Sequence, residues 1–191
     1  MTKEERRAAF GSVLSGTLAR VIEFLKFAET KNAALLTFAS AWTFASISFL
    51  AGDRTPVGVV GNAFRFAVVL FAAAAVVAVV SFLPKLNLQK LHRDPAQPKN
   101  FLYFGHIAEF DTSVFRTRVQ ERYLAQGDQS ITDQYLDDLT VQISANSKIT
   151  QRKFLMFNLG AGLVLIAMLT LALATASAAI HRATAGALLW D

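Results

Sequence analysis

Three histidines, fourteen carboxylates and no cysteine bound the chemistry open to this chain. Without cysteine there is no disulfide, no thiolate nucleophile and no cysteine-ligated zinc or iron–sulfur site. His92, His106 and His181 stand isolated, and neither HExxH, GxSxG nor a Walker sequence is present. The words "GVVG" and "GAG" lack the rest of a phosphate loop. Asp111, Asp133, Asp137 and Asp138 fall on polar faces of predicted helices, where solvated carboxylates are expected rather than an acid–base pair. No catalytic residue, no metal site and no cofactor is expected, and the chain does not read as an enzyme.

A second group of charges is placed differently. In "ETKNAALLTFASAWTFASISFLAG" a charged stretch that favours helix turns apolar within a few residues, with no Pro or Gly at the change. Glu29 and Lys31 lie just before that apolar run, and Lys148, Arg152 and Lys153 lie just before another. Charges at the edge of an apolar run either snorkel to a polar surface or pair across helices. The predicted pair joins Glu29 to Lys148 or Arg152. Glu29, Lys31, Lys148 and Arg152 are thus the predicted joint between two long helices at a membrane surface.

The elements that position these charges follow from hydropathy. Apolar residues make up 53% of the 191 residues, and the mean hydropathy is +0.38. They cluster in three runs: Ala33–Ala51 and Phe154–Ala179, both free of charge, and Phe64–Leu83, charged only at Arg65. Each reaches the roughly 20 residues that a bilayer core of about 30 Å requires. The expected fold is all-α: an integral membrane protein with three transmembrane helices and a cytoplasmic helical region. The predicted organisation is a cytoplasmic amphipathic helix over 1–32 that continues into the membrane, spans over 33–51, 64–83 and 154–179, a cytoplasmic helical region over 84–153, and an outer tail over 180–191.

Orientation follows from Lys and Arg. Six precede the first run and ten lie between the second and third, against Arg54 and Arg65 around the short loop and Arg182 in the tail. That asymmetry places the N-terminus and the central segment in the cytoplasm and the C-terminus outside. In a bacterium that means the inner membrane, with a periplasmic C-terminus. The net charge of +5 is then explained by topology, and nucleic acid is not an expected partner. The N-terminus lacks a leader pattern, so the chain is expected to be uncleaved. Leu188, Leu189 and Trp190 are too few for a fourth span and are expected at the outer interface.

Outside the runs, Phe10, Val13, Leu14, Thr17, Val21, Phe24, Leu25 and Ala28 follow a three-four spacing. One helix is predicted from Thr17 to Ala51, on the order of 50 Å long. Its apolar stripe needs a partner, and three Ala-rich spans are too few to enclose a conduit, so a homo-oligomer is expected. Pro84, Pro95 and Pro98 predict an extended passage after the second span. Phe101, Tyr103, Phe104, Phe110 and Phe115 then gather around Gly105, and this cluster either packs on the neighbouring helices or faces a ligand. A short helix capped by Asp111 or Ser113 runs to about Ala125, and "QGDQ" is a turn. "SITD" starts a last helix with the pattern of a capping box. Ile131, Tyr135, Leu139, Gln142, Asn146 and Ile149 carry that helix without a break into the third span, where Gly160 and Gly162 permit close helix contact.

Three stretches carry a family resemblance: "AETKNAALLTFASA", "FLYFGHI" and "ISANSKITQRKFLMFNLG". In order and spacing the segment from Phe24 to Ala174 resembles the transmembrane effectors of the bacterial Pycsar antiphage system, small membrane proteins paired with nucleotide cyclases. The resemblance implies an antiphage effector that responds to a cyclic pyrimidine mononucleotide, cyclic CMP or cyclic UMP, made by a cognate cyclase. It implies loss of inner-membrane integrity and growth arrest or death of the infected cell. The implied partners are the lipid bilayer and the cyclic mononucleotide. Such a ligand needs a stacking ring and a cation for its single phosphate charge. Tyr103 or Phe104, beside Gly105, is the expected ring, and Arg116, Arg118, Arg122 or Lys148 the expected cation. The competing expectation is an oligomeric structural or channel-forming membrane protein without nucleotide control.

Overall fold

The computed structural model describes residues 2–52, 57–83, 100–124 and 131–187, with side chains of the last helix described as far as Thr184. Pro84, Pro95 and Pro98, the 126–129 turn, Ser130 and residues 188–190 lie outside these. The described residues form helices and no strand: α1 (Lys3–Ala51), α2 (Gly58–Phe82), α3 (Phe104–Ile107), α4 (Thr112–Tyr123) and α5 (Asp133–Ala187). Helices α1, α2 and α5 are long and apolar enough to cross a membrane. The expected all-α class with three spanning helices is therefore observed.

Helix α1 begins at Lys3, inside the segment 1–32 read as an amphipathic helix and ahead of the Thr17–Ala51 stretch predicted to be continuous. Its start is a reciprocal cap. The Glu5 amide donates to Thr2 Oγ1 at 3.1 Å and the Thr2 amide to Glu5 Oε2 at 2.8 Å, satisfying two donors that a helix start leaves open. Gly11, inside this helix, is the site of a close approach. A Cβ there would meet Ile131 Cδ1 at 2.6 Å, so the missing side chain is what lets α5 come near. Helix α5 likewise takes Thr132 as its cap, with the Tyr135 amide donating to Thr132 Oγ1 at 3.3 Å.

The chain divides into two compact units: residues 1–27 with 84–151, and residues 28–83 with 152–191. In the first unit Arg7 pairs with Asp133 and donates to the Ile131 carbonyl at 3.0 Å. Gly11 meets Ile131 and Leu136. In the second, Asn32 bonds the Lys153 carbonyl and Leu35 packs on Gly160. Both sets of contacts rise together in number, so α1 and α5 run parallel. The covered side of α1 is Gly11, Leu14, Leu18, Val21, Leu25, Ala28, Asn32, Leu35, Ala39, Trp42 and Ser46. These positions repeat every 3.5 residues, the spacing at which two helices stay in contact over a long seam.

In the second unit the seam becomes the core of a three-helix bundle. Leu35 and Ala39 of α1 meet Ala63, Ala67, Phe71, Ala74 and Ala78 of α2, with Val164, Ala167, Leu171 and Ala174 of α5. Trp42 stacks on Phe71 at 5.8 Å and Phe49 lies 4.4 Å from Phe64. Small residues dominate because van der Waals contact, not water exclusion, holds helices together in lipid. The outer surface stays apolar, with Phe44, Val69, Val76, Leu165 and Leu173 exposed. Less than a third of each apolar run is buried within the chain, which a soluble core would not tolerate; hydrocarbon is the solvent that fits this surface.

Gly160 is the tightest point of this bundle, since a Cβ there would meet Leu35 Cδ2 at 2.5 Å. Gly160→Leu should therefore destabilise the protein by about 1–3 kcal/mol through overpacking. Thermal unfolding in detergent checks this, with Gly162→Leu as the mild control because nothing lies within 4 Å of a Cβ at Gly162.

Candidate functional site

At the start of the second unit the three long helices meet at one cation. Lys153 Nζ lies 3.0 Å from Glu29 Oε1 of α1 and donates to the Ser81 carbonyl of α2 at 3.2 Å. Ser81 sits in the last turn of α2, where open carbonyls and the helix dipole favour a positive charge. Asn32 is fully buried against the Lys153 backbone. Its Nδ2 donates to the carbonyls of Ala28 at 2.9 Å and Lys153 at 3.0 Å, while its Oδ1 has no partner among the described residues. Lys31 Nζ stands over the rings of Phe157 at 5.0 Å and Phe154 at 5.9 Å.

This arrangement corrects the predicted pairing. Glu29 binds Lys153, not Lys148 or Arg152. The reason is helix phase: on α5 the covered positions 139, 146, 153 and 160 recur every seven residues, and Lys153 belongs to that series. Lys148 lies in the first unit on an exposed position of α5, and Arg152 is half-buried. Glu29 is itself 46% exposed, so its pair with Lys153 is worth below about 1 kcal/mol.

The first unit is built around a buried carboxylate. Asp138 accepts two bonds from Arg122, from Nε at 2.8 Å and from an Nη at 3.0 Å, and a third from the Tyr123 hydroxyl. Its side chain is only 6% exposed. The Asp138 carbonyl accepts from Asn100 Nδ2 at 3.0 Å. Asn100 in turn receives the Leu102 amide on Oδ1 and gives its own amide to His106 Nδ1 at 3.1 Å. The expectation of a solvated Asp138 is thus overturned. Its neighbours Leu136 and Leu139 are buried too, so Asp138 turns inward and needs the paired guanidinium to offset desolvation. The only trace of this in the sequence is a carboxylate between buried-type leucines.

The aromatic word divides. Phe101 is buried, with Phe110, Phe115 and Tyr123 edge-on at 5.7, 6.3 and 6.3 Å. Tyr123 meets Tyr135 at 5.5 Å. These rings are core. Tyr103 and Phe104 are not part of it: they face each other at 4.8 Å, and Phe104 is 76% exposed. Gly105, in the single turn of α3, lies against the Tyr103 ring so closely that a Cβ would clash at 2.5 Å. Of the predicted cations, Arg116 is exposed, Arg118 bonds Glu121 at 3.2 Å on the surface of α4, and Arg122 is held by Asp138. Asp111 occupies the cap position of α4 without a side-chain bond. Among the described residues no three His, Asp or Glu side chains are grouped to hold a metal ion.

Comparison with known proteins adds a family. The profile described as the Pycsar effector protein domain, PycTM, matches residues 13–181. The Pycsar effector protein RsPycTM of a Rhizobium species is 39% identical over 155 residues, which cover 81% of this chain and 87% of that protein. No solved structure matches the chain significantly.

Two outcomes follow from the Asp138 node. Asp138→Asn leaves Arg122 buried and uncompensated, and should cost about 3 kcal/mol or more in thermal unfolding. The second concerns alkaline pH. Burial lifts the Tyr123 hydroxyl well above its ordinary 10.0, and its bond to Asp138 adds to this. The bond to Asp138 likewise raises Arg122 above its ordinary value. A raised folded value stabilises fully below the unfolded one and is lost as the pH climbs through the folded one. The melting temperature should fall from pH 10 upward, and fall less in Tyr123→Phe.

Proposed function

Because the chain belongs to the Pycsar effector family, we propose that it is the membrane-damaging arm of a nucleotide-triggered response to phage. Membership makes it an antiphage defence effector, and its three long apolar helices assign it to a membrane. In the proposed reading that membrane is the bacterial inner membrane, with the N-terminus cytoplasmic and the C-terminus periplasmic. A cognate cyclase supplies cyclic CMP or cyclic UMP. The first unit binds it, and the second impairs membrane integrity, so that the infected cell stops growing or dies.

The observation that carries this reading is continuity. Helices α1 and α5 each contribute to both units without a break. A ligand that binds two states of the first unit unequally shifts their populations, and an unbroken helix passes a rotation or a shift along its own length. Exposed Phe104 offers a ring for stacking on a pyrimidine, with Tyr103 behind it. Exposed Arg116, with Arg118 and Lys148, offers charge for one phosphate. Arg122 is spent on Asp138, and in this reading it shapes the unit rather than touching ligand. Lys31, Glu29 and Lys153 form the joint that the shift crosses.

The test is binding of cyclic CMP and cyclic UMP to the purified protein, followed by nucleotide-triggered loss of membrane potential in cells. The proposal expects binding of one of the two, weakened at least about tenfold by Phe104→Ala with Arg116→Ala. It expects Lys31→Ala and Lys148→Ala, tested separately, to change the nucleotide dose needed for damage while both proteins still insert. Unchanged dose dependence in both would reduce these lysines to membrane anchors. Damage without any bound nucleotide would favour a channel-forming protein lacking nucleotide control.

A further inference from the structure

Helix α1 carries a second apolar seam that the described residues leave open. Each residue of it directly precedes one of the covered seam: Phe10 before Gly11, Val13 before Leu14, Thr17 before Leu18, Arg20 before Val21, Phe24 before Leu25. The open seam therefore has the same 3.5-residue repeat, and at its apolar positions it is 53% (Phe10), 63% (Val13) and 58% (Phe24) exposed. Positions flanking a covered seam ordinarily carry charge. Here they carry two phenylalanines and a valine, and the same phase recurs at Phe38, also exposed.

Lipid does not account for this stripe. Helix α1 is unbroken to Ala51, and its charge-free run begins at Ala33. Phe24 lies about 13 Å and Phe10 about 35 Å before that run along the helix axis, at about 1.5 Å per residue. The headgroup zone adds only about 5–8 Å on each side of the hydrocarbon. Along the part of α5 in the first unit, the exposed residues Gln134, Asp137, Ser144, Ser147 and Lys148 are polar and offer no matching strip.

We propose that this seam is a parallel homotypic interface, on which α1 of a second copy of this chain packs through the same residues. A 3.5-residue repeat favours another helix over a globular surface, because it keeps two axes in contact over several turns. Copies inserted with one topology hold α1 parallel, so the seams meet about an axis along the membrane normal. The charges agree with self-pairing: Arg20 interrupts the seam, and exposed Glu23 on its flank is the carboxylate that the second copy's guanidinium meets. Nothing in this proposal depends on nucleotide binding.

The chain has no cysteine, so the test is a scan of single cysteines in native membranes, oxidised without nucleotide. Val13→Cys and Phe24→Cys should form disulfide dimers at least about fivefold more than Ala19→Cys, since a disulfide needs Cα atoms within about 7 Å. Ala19 is exposed on the other side of α1. Adding Phe24→Glu to the Val13→Cys chain should cut the dimer about tenfold without changing the amount inserted. Maleimide labelling of the denatured chains confirms that each thiol was present and reduced beforehand. Equal yields at Val13, Phe24 and Ala19, or no dimer at any of them, would overturn the interface. A head-to-tail ring, which places this seam on a different surface, gives no such dimer and counts against it as well.

Discussion

Everything in this chain hangs on one contact, the parallel seam between α1 and α5, helices of 49 and 55 residues. Within each unit the seam keeps the same repeat on α1, while the residues that fill it differ. Toward the N-terminus they are Leu14, Leu18, Val21 and Leu25, large apolar groups whose burial from water is itself the driving force. From Ala28 onward small residues, Ala28, Ala39, Gly160, Ala167 and Ala174, are interspersed with larger ones, Leu35, Trp42 and Leu171. In hydrocarbon a leucine gains nothing by leaving its surroundings, so association must come from close approach of backbones, which small residues permit. The same geometry is thus filled mainly by large residues in the first unit and by a mixture rich in alanine and glycine in the second.

The change in composition occurs where the seam turns polar. Asn32 takes a seam position, fully buried, with Lys153 opposite it in the same phase. A buried amide with one unsatisfied oxygen costs stability, and a leucine there would pack without that cost. What the amide adds is register: its two donors are used only if Ala28 and Lys153 present their carbonyls at that level. A single buried Asn in a seam of leucines and alanines acts this way in two-stranded coils. Lys153 extends the same logic to α2, by holding the carbonyl of Ser81 as well as the carboxylate of Glu29. Three helices are thereby fixed at one height by groups that would gain little elsewhere.

What the sequence disclosed and what it hid separate along physical lines. The three spans were legible because a soluble helix rarely needs an apolar run of that length, whereas a bilayer demands it. The unbroken run of α5 was legible because no Gly or Pro interrupts it before Gly160. The continuous helix was drawn only from Thr17 because Gly16 precedes it, whereas Gly11 is a point of close approach and the cap is Thr2 with Glu5. Glu29 was assigned to Lys148 or Arg152 because depth along an axis is readable and phase around it is harder: one residue is a turn of about 100°. Asp138 was misread for a related reason. Its partners Arg122 and Asn100 come from 16 and 38 residues away, and only the fold brings them together. The aromatic word was left open between core and ligand; Phe101 is core, and Phe104 stays exposed and open to a ligand.

The two polar nodes differ in strength, and the difference bears on the proposed response. Asp138 with Arg122 and Tyr123 is dry and bidentate, and breaking one side of such a pair costs several kcal/mol. Glu29 with Lys153 is half in solvent and is worth below about 1 kcal/mol. A cyclic mononucleotide has one charge and one base to offer, and the few kcal/mol that separate its affinities for two states are the whole of the work it can do. Against the Asp138 node that is too little to rearrange the packing. Against the Glu29–Lys153 pair it is ample. In the proposed reading the Asp138 node therefore keeps its packing, and the Glu29–Lys153 pair is the contact that yields.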